Sequence, residues 1–172
     1  DKDFLKLDPS THRNLEITQT INGSKEPTVF SLLDRCSTGM GSRWLRHQLS
    51  HPLRDHKKLQ QRLDGIEGIA QKSDKQLILK IESILKKIVD IERIWSRISL
   101  RTARPRDLSG LRDSLHLLPD LKIILNQSES PHIIDLSEKL TINKDLLALI
   151  NESILPEPAS SIREGNVINT NF

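Results

Sequence analysis

Apolar residues recur three and four positions apart along most of this chain, and almost every such stripe follows a residue able to cap a helix. The clearest run is Leu108, Leu111, Leu115 and Leu118, with Pro105 standing where a first helical turn would begin. Only a helix brings that spacing onto one face. Ahead of it, Asp90 opens Ile91, Ile94, Trp95 and Ile98, while Ser73 with Gln76 forms a capping box before Leu77, Ile81, Ile84, Leu85 and Ile88. Asp55 opens a stripe of Leu59, Leu63, Ile66 and Ala70, and Asp8-Pro9, Thr28 and Thr38 open shorter segments, the last stopped by Pro52. Pro119 is expected to kink or restart the long helix, since it removes a donor and crowds the turn before it. Ser130-Pro131 then opens Ile133, Ile134, Leu136 and Leu140, and Asn143 opens Leu146, Leu147, Ile150 and Ile154.

Composition points the same way. There are three Val, no Tyr and 3% aromatic residues, so the apolar content of the chain is mostly Leu and Ile, which favours helices over a sandwich or barrel. The expected fold is all-α, a multi-helix bundle of amphipathic helices over residues 1–155, followed by an irregular or extended tail over 156–172 with a short extended stretch at Asn166-Val167-Ile168. With 172 residues, 35% of them hydrophobic, the chain can close a real core. Its expected centre is the seam of Leu108, Leu111, Leu115 and Leu118, ringed by Leu59, Leu63, Ile81, Ile84, Ile94 and Trp95. Trp44 and Trp95 are read as core anchors, and Gly65 and Gly68 as positions where a neighbouring helix comes close.

Several chemistries are excluded by what the residues lack. Unbroken apolar runs are a few residues long, such as Leu77-Ile78-Leu79 and Ile123-Ile124-Leu125, and fall far short of the roughly 20 residues a membrane span needs. No basic start followed by an apolar stretch marks a leader, so the expected location is cytoplasmic. A lone Cys36 can form no internal disulfide and reads as a buried or half-buried thiol. None of the glycines precedes a Lys-Ser or Lys-Thr pair, which removes the phosphate-cradling loop, and Gly39-Met40-Gly41-Ser42 reads as close helix packing. His47 and His51 stand four apart with Asp55 beyond, but Pro52 ends the helix there and no Glu accompanies them, so they read as solvated surface. No catalytic, cofactor or metal residues are expected.

One constellation rises above this background. Arg93, Arg97 and Arg101 follow one another at four-residue spacing and continue into Arg104 and Arg106, with no Asp or Glu before Asp107. A ridge of planar guanidinium groups suits bidentate pairing with phosphates or with carboxylates of a packed neighbour. The formal charge of +3 is too mild for non-specific coating of nucleic acid, and the aromatic residues are too dispersed for a single-strand platform. Direct DNA contact and ion pairing within or between domains both stay open for these five arginines.

Three stretches in order carry a resemblance. They are Leu7-Asp8-Pro9-Ser10-Thr11-His12-Arg13-Asn14-Leu15-Glu16-Ile17, then Gly39-Met40-Gly41-Ser42-Arg43-Trp44-Leu45 leading to His51-Pro52-Leu53-Arg54-Asp55, then Asp90-Ile91-Glu92-Arg93 leading to Leu100-Arg101-Thr102-Ala103-Arg104-Pro105-Arg106-Asp107-Leu108. Together they resemble the helical core, or lever domain, of the MutS family. Arg163-Glu164-Gly165-Asn166-Val167-Ile168 looks like the family's lead-in to its clamp insertion. The resemblance implies a piece of a longer DNA mismatch repair ATPase, one that dimerises around DNA, binds mispaired bases at one end and hydrolyses ATP with Mg at the other. It implies no enzymatic activity and no cofactor for this stretch itself. Implied partners are mismatched double-stranded DNA through the parent protein, the other domains, the second copy in the dimer, and downstream repair proteins such as MutL. It also implies apolar faces left bare on the Asn143 helix and the tail, where returning lever helices would pack. The residues alone leave two alternatives, an independent helical nucleic-acid-binding module using the arginine ridge and a helical protein-interaction scaffold.

Overall fold

A computed structural model describes residues 3–70 and 75–172. Among them the backbone forms nine α-helices: α1 (Pro9–Asn14), α2 (Val29–Leu33), α3 (Gly39–Ser50), α4 (His56–Ala70), α5 (Lys75–Leu85), α6 (Ile91–Ser99), α7 (Pro105–Leu125), α8 (Pro131–Glu138) and α9 (Lys144–Ser153). A 3-10 turn over Ile162–Glu164 follows, and the only β-type pairings among the described residues are isolated bridges. The all-α expectation is met. The helices fall into two compact units, Asp1–Glu67 and Gly68–Phe172.

The helix starts are the caps the sequence offers. Asp8 accepts from the Thr11 amide at 2.9 Å, Thr38 from Gly41 at 3.0 Å, Asp55 from Lys57 at 2.9 Å, Asp90 from Arg93 at 3.2 Å and Asn143 from Leu146 at 3.0 Å. Thr28 and Ser31 form a reciprocal box at the start of α2. The capping box read at Ser73 lies outside the described residues.

In the first unit the chain start lies along the exit of α3. Phe4 bridges to Leu53, the Leu5 amide donates to the Pro52 carbonyl at 2.7 Å, and the Arg54 amide donates to Asp3 at 3.0 Å. Its buried hydrophobic residues are Ile17 and Phe30, and the Arg46 guanidinium stands 4.3 Å over the Phe30 ring. Trp44 is not a core anchor: the residue is 54% exposed, and its ring lies under the Arg62 guanidinium at 5.0 Å. Cys36 is exposed too, contrary to expectation. Leu59, Leu63 and Ile66 on α4 also stand exposed, so helical spacing there marks an amphipathic face but not a buried one.

The second unit is organised by α7, whose 21 residues span about 30 Å at the α-helical rise. Helices α5, α6, α8 and α9 all pack against it. The buried centre is Ile94, Leu111, Ile150 and Ile154, with Val89, Ile91, Ile98, Leu108, Leu115, Leu146 and Val167 partly buried around it. Three of the four seam leucines are therefore in this core, while Trp95 is 61% exposed because Ile94, one residue earlier, takes the inward position and turns its neighbour about 100° away. On α8 the inward residues are Ile133 and a fully buried Ser137, whereas Leu136 faces out. Pro119 does not restart α7. It is exposed.

Small residues set the closest approaches. A Cβ on Gly110 would meet Val89 Cγ1 at 3.2 Å, and one turn later the buried Ser114 hydroxyl accepts from the Val89 amide at 3.0 Å and donates to the Gly110 carbonyl at 2.8 Å. Gly68 is confirmed as a contact point, since a Cβ there would fall 2.6 Å from Ser130 Cβ. After α9 the chain doubles back: Leu155 donates to Val167 at 3.0 Å, and Asn169 donates to Ser153 at 2.8 Å. Leu149, Ile162, Ile168 and Phe172 remain exposed on α9 and the tail, while Ile150 and Ile154 are buried.

These burials separate two leucines that the spacing treats alike. Leu111→Ala is expected to cost about 2–5 kcal/mol as a core cavity, and Leu63→Ala less than about 0.5 kcal/mol, both read from urea melts.

Candidate functional site

Four of the five ridge arginines, Arg97, Arg101, Arg104 and Arg106, lie at or near the turn between α6 and α7, while Arg93 stands at the start of α6, so the five do not form one helical face. Helix α6 ends at Ser99, and its exit is a Schellman turn. The Thr102 amide reaches back to the Arg97 carbonyl at 2.8 Å and the Arg101 amide to Ile98 at 2.9 Å. This places Arg101 at the left-handed position, φ 56°, where glycine is the usual occupant. A non-glycine residue costs about 1–2 kcal/mol there. Arg101 therefore leaves the face shared by Arg93 and Arg97, and the sequence periodicity is broken by the cap.

Arg97 is committed inside the unit. Its Nε donates to Asp107 Oδ2 at 2.8 Å and its Nη2 to Oδ1 at 2.6 Å, a two-pronged pair tying α6 to the first turn of α7. Asp107 Oδ2 also accepts from the Arg104 amide at 2.9 Å, so one carboxylate caps α7 and closes the junction. Burial alone would raise the Asp107 carboxyl, but the Arg97 guanidinium and the Arg104 amide outweigh it and hold the group below the usual carboxylate range. The same pair raises Arg97. Arg93 Nε lies 3.5 Å from Asp90 at the start of α6. Arg101, Arg104 and Arg106 are exposed around the turn.

The sequence reading missed Arg112. It stands four residues after Leu108, within the apolar stripe, and is 8% exposed. Its guanidinium donates to the carbonyls of Ile154 at 3.3 Å, Leu155 at 3.2 Å and Pro156 at 2.9 Å, and its Nε pairs with Asp113 at 3.0 Å. A buried charge with three carbonyl acceptors latches the end of α9 to the middle of α7. Its signal in the sequence was a lone arginine on an otherwise leucine face.

Among the described residues no group of three or more His, Cys, Asp or Glu could hold a metal ion, and no helix is long and apolar enough to cross a membrane. The Cys36 thiol is pushed up by partial burial and by Asp34 beside it, the opposite of what a nucleophile needs. Fold and junction together define a helical scaffold domain whose charged groups bind its own elements to one another. Residues 10–170 match the family model MutS domain III, and the chain belongs to that family. It is a domain of the MutS type from DNA mismatch repair, and not by itself a catalytic one.

Two measurements test the junction. Arg101→Gly should stabilise the chain by about 0.5–1 kcal/mol by relieving the left-handed backbone, and a loss of stability in urea melts would contradict the assignment. Because Asp107 is depressed in the folded state, its contribution is present at neutral pH and fades as pH falls from about 5 toward and through its lowered value. Asp107→Asn should therefore be less stable than the parent at pH 7, with the gap narrowing on acidification.

Proposed function

We propose that this domain is the stiff lever of a MutS-type mismatch repair protein, coupling the regions that hold DNA to a remote ATPase domain. The observation that carries this reading is α7, one unbroken helix on which four others rest and to which Arg112 fastens the end of α9. Close-packed helices resist compression, so a rotation imposed at one end is passed to the other as displacement. Residues 1–155 supply the lever, and 156–172 lead on toward a clamp. In the parent, ATP and Mg belong to the ATPase domain, mismatched DNA to the mismatch-binding and clamp regions, and MutL docks downstream.

Within that frame Arg93, Arg101, Arg104 and Arg106 face a neighbouring domain or the DNA backbone, while Arg97 serves the lever's own rigidity. Arg101 gives specific support to an outward role. An arginine kept where glycine would relieve strain points to a side chain needed beyond the turn. The helical nucleic-acid-binding module is the second reading, and the same residues test it. Salt-dependent duplex binding by this chain, lost in Arg101→Gln with Arg104→Gln, would favour that module; absence of binding favours the lever.

The lever itself is tested in the longer repair protein by Arg112→Met. Mismatch binding and ATP hydrolysis measured separately should stay near the parent values, while the effect of ATP on DNA release falls about tenfold. Unchanged coupling would overturn the reading.

A further inference from the structure

The first unit holds a cleft of about 1120 Å³ between α1, the loop that follows it and the C-terminal end of α3. Its charged and titratable lining is uniformly basic: Lys6, His12, Arg13, His47 and His51, with Phe4 beside them. No carboxylate is among the described residues that line it. The nearby acids accept from or lie beside groups other than the basic residues of the lining. Asp8 is folded into the α1 cap, taking the Thr11 amide and the Ser10 and Thr11 hydroxyls. Glu16 accepts from the Ile21 amide at 2.8 Å, and Asp3 lies 3.8 Å from Lys58.

The basic groups are also held in place. Arg13 Nη2 donates to the Ile21 carbonyl at 3.1 Å, which fixes the guanidinium against the cleft loop and leaves most of its donors for other acceptors. His47 and His51, one turn apart on α3 and its cap, stack with ring centroids 4.6 Å apart, and Phe4 meets them edge-on at 6.0 and 6.2 Å. His51 Nδ1 lies 3.2 Å from the His47 carbonyl, and the His51 amide takes the same oxygen at 2.8 Å. The α3 end thus presents imidazoles to the cleft with this carbonyl already occupied. A concave cleft takes a small organic ligand, and a lining whose charged side chains are the Lys6 ammonium and the Arg13 guanidinium takes an anion.

We propose that this cleft binds a small phosphate monoester, with Lys6 and Arg13 holding the phosphate and the Phe4, His47 and His51 rings bordering the organic body. Arg13 supplies a planar fork for two oxygens, Lys6 a point charge, and the imidazoles further donors. The site is independent of the arginine turn and of the lever reading.

The test follows the imidazole NMR signals of this chain during titration with AMP, inorganic phosphate and adenosine. AMP and phosphate should both shift His47 and His51 while adenosine does not. Tighter binding of AMP than of phosphate supports the ester, and equal binding of the two, which leaves the organic body without a role, would overturn it. Lys6→Gln, at an exposed position, should weaken AMP at least about fivefold, whereas Lys139→Gln at the C-cap of α8 should leave it unchanged. Arg13→Lys keeps the charge but loses the fork and should weaken it less than Arg13→Gln. No shift at about 10 mM AMP, equal binding of adenosine, or full affinity in Lys6→Gln would overturn the proposal.

Discussion

The second unit depends on how closely the segment before α6 can approach α7. Gly110 offers no side chain to keep Val89 away, and Ser114 turns the resulting burial into a satisfied contact by accepting the Val89 amide. Without that hydroxyl the amide would be left unpaired at a cost of about 1–3 kcal/mol. With it, Ile94 and Leu111 meet in the core beside Ile150 and Ile154. The same helix solves the opposite problem further round its surface, where Arg112 saturates three carbonyls of the chain leaving α9. One helix thus carries a small-residue seat, an apolar stripe and a buried cation on neighbouring faces.

Much of this architecture was legible because helix starts are local events. Asp8, Thr28, Thr38, Asp55, Asp90 and Asn143 cap where their positions before apolar stripes said they should, and Pro105 and Pro131 sit in first turns. Spacing is weaker evidence for burial, because a helix with two adjacent apolar residues can turn only one of them inward. Ile94 and Trp95 show this on α6, and on α8 an apolar residue, Leu136, is turned out while its polar neighbour Ser137 is buried. On α8 the choice went to the small polar side chain, which bonds to the Asn126 amide oxygen and the Ile134 carbonyl and needs little room. The exposed Leu59, Leu63 and Ile66 mark the further limit: a stripe records that a face was made apolar, not what covers it.

The arginine cluster was visible as composition but not as geometry. Four-residue spacing assumes the helix continues, and the Schellman turn at Arg101 ends it. The absence of acids between Arg93 and Asp107 concealed the partner that matters, since Asp107 is the residue just past that interval and takes Arg97 with both oxygens. Arg112 was hidden for a different reason. A charged residue inside a leucine stripe is commonly solvated at its tip, and only the returning chain after α9 supplies the carbonyls that make burial tolerable.

A rigid lever requires that its axis open no more readily than the whole domain does. Native-state hydrogen exchange along α7 measures this directly. The amides around Leu111, Ser114 and Leu115 should exchange only through global unfolding, with the same denaturant dependence as the unit's melting transition. Exchange of that stretch by local opening, while α6 and α9 stay protected, would contradict the account.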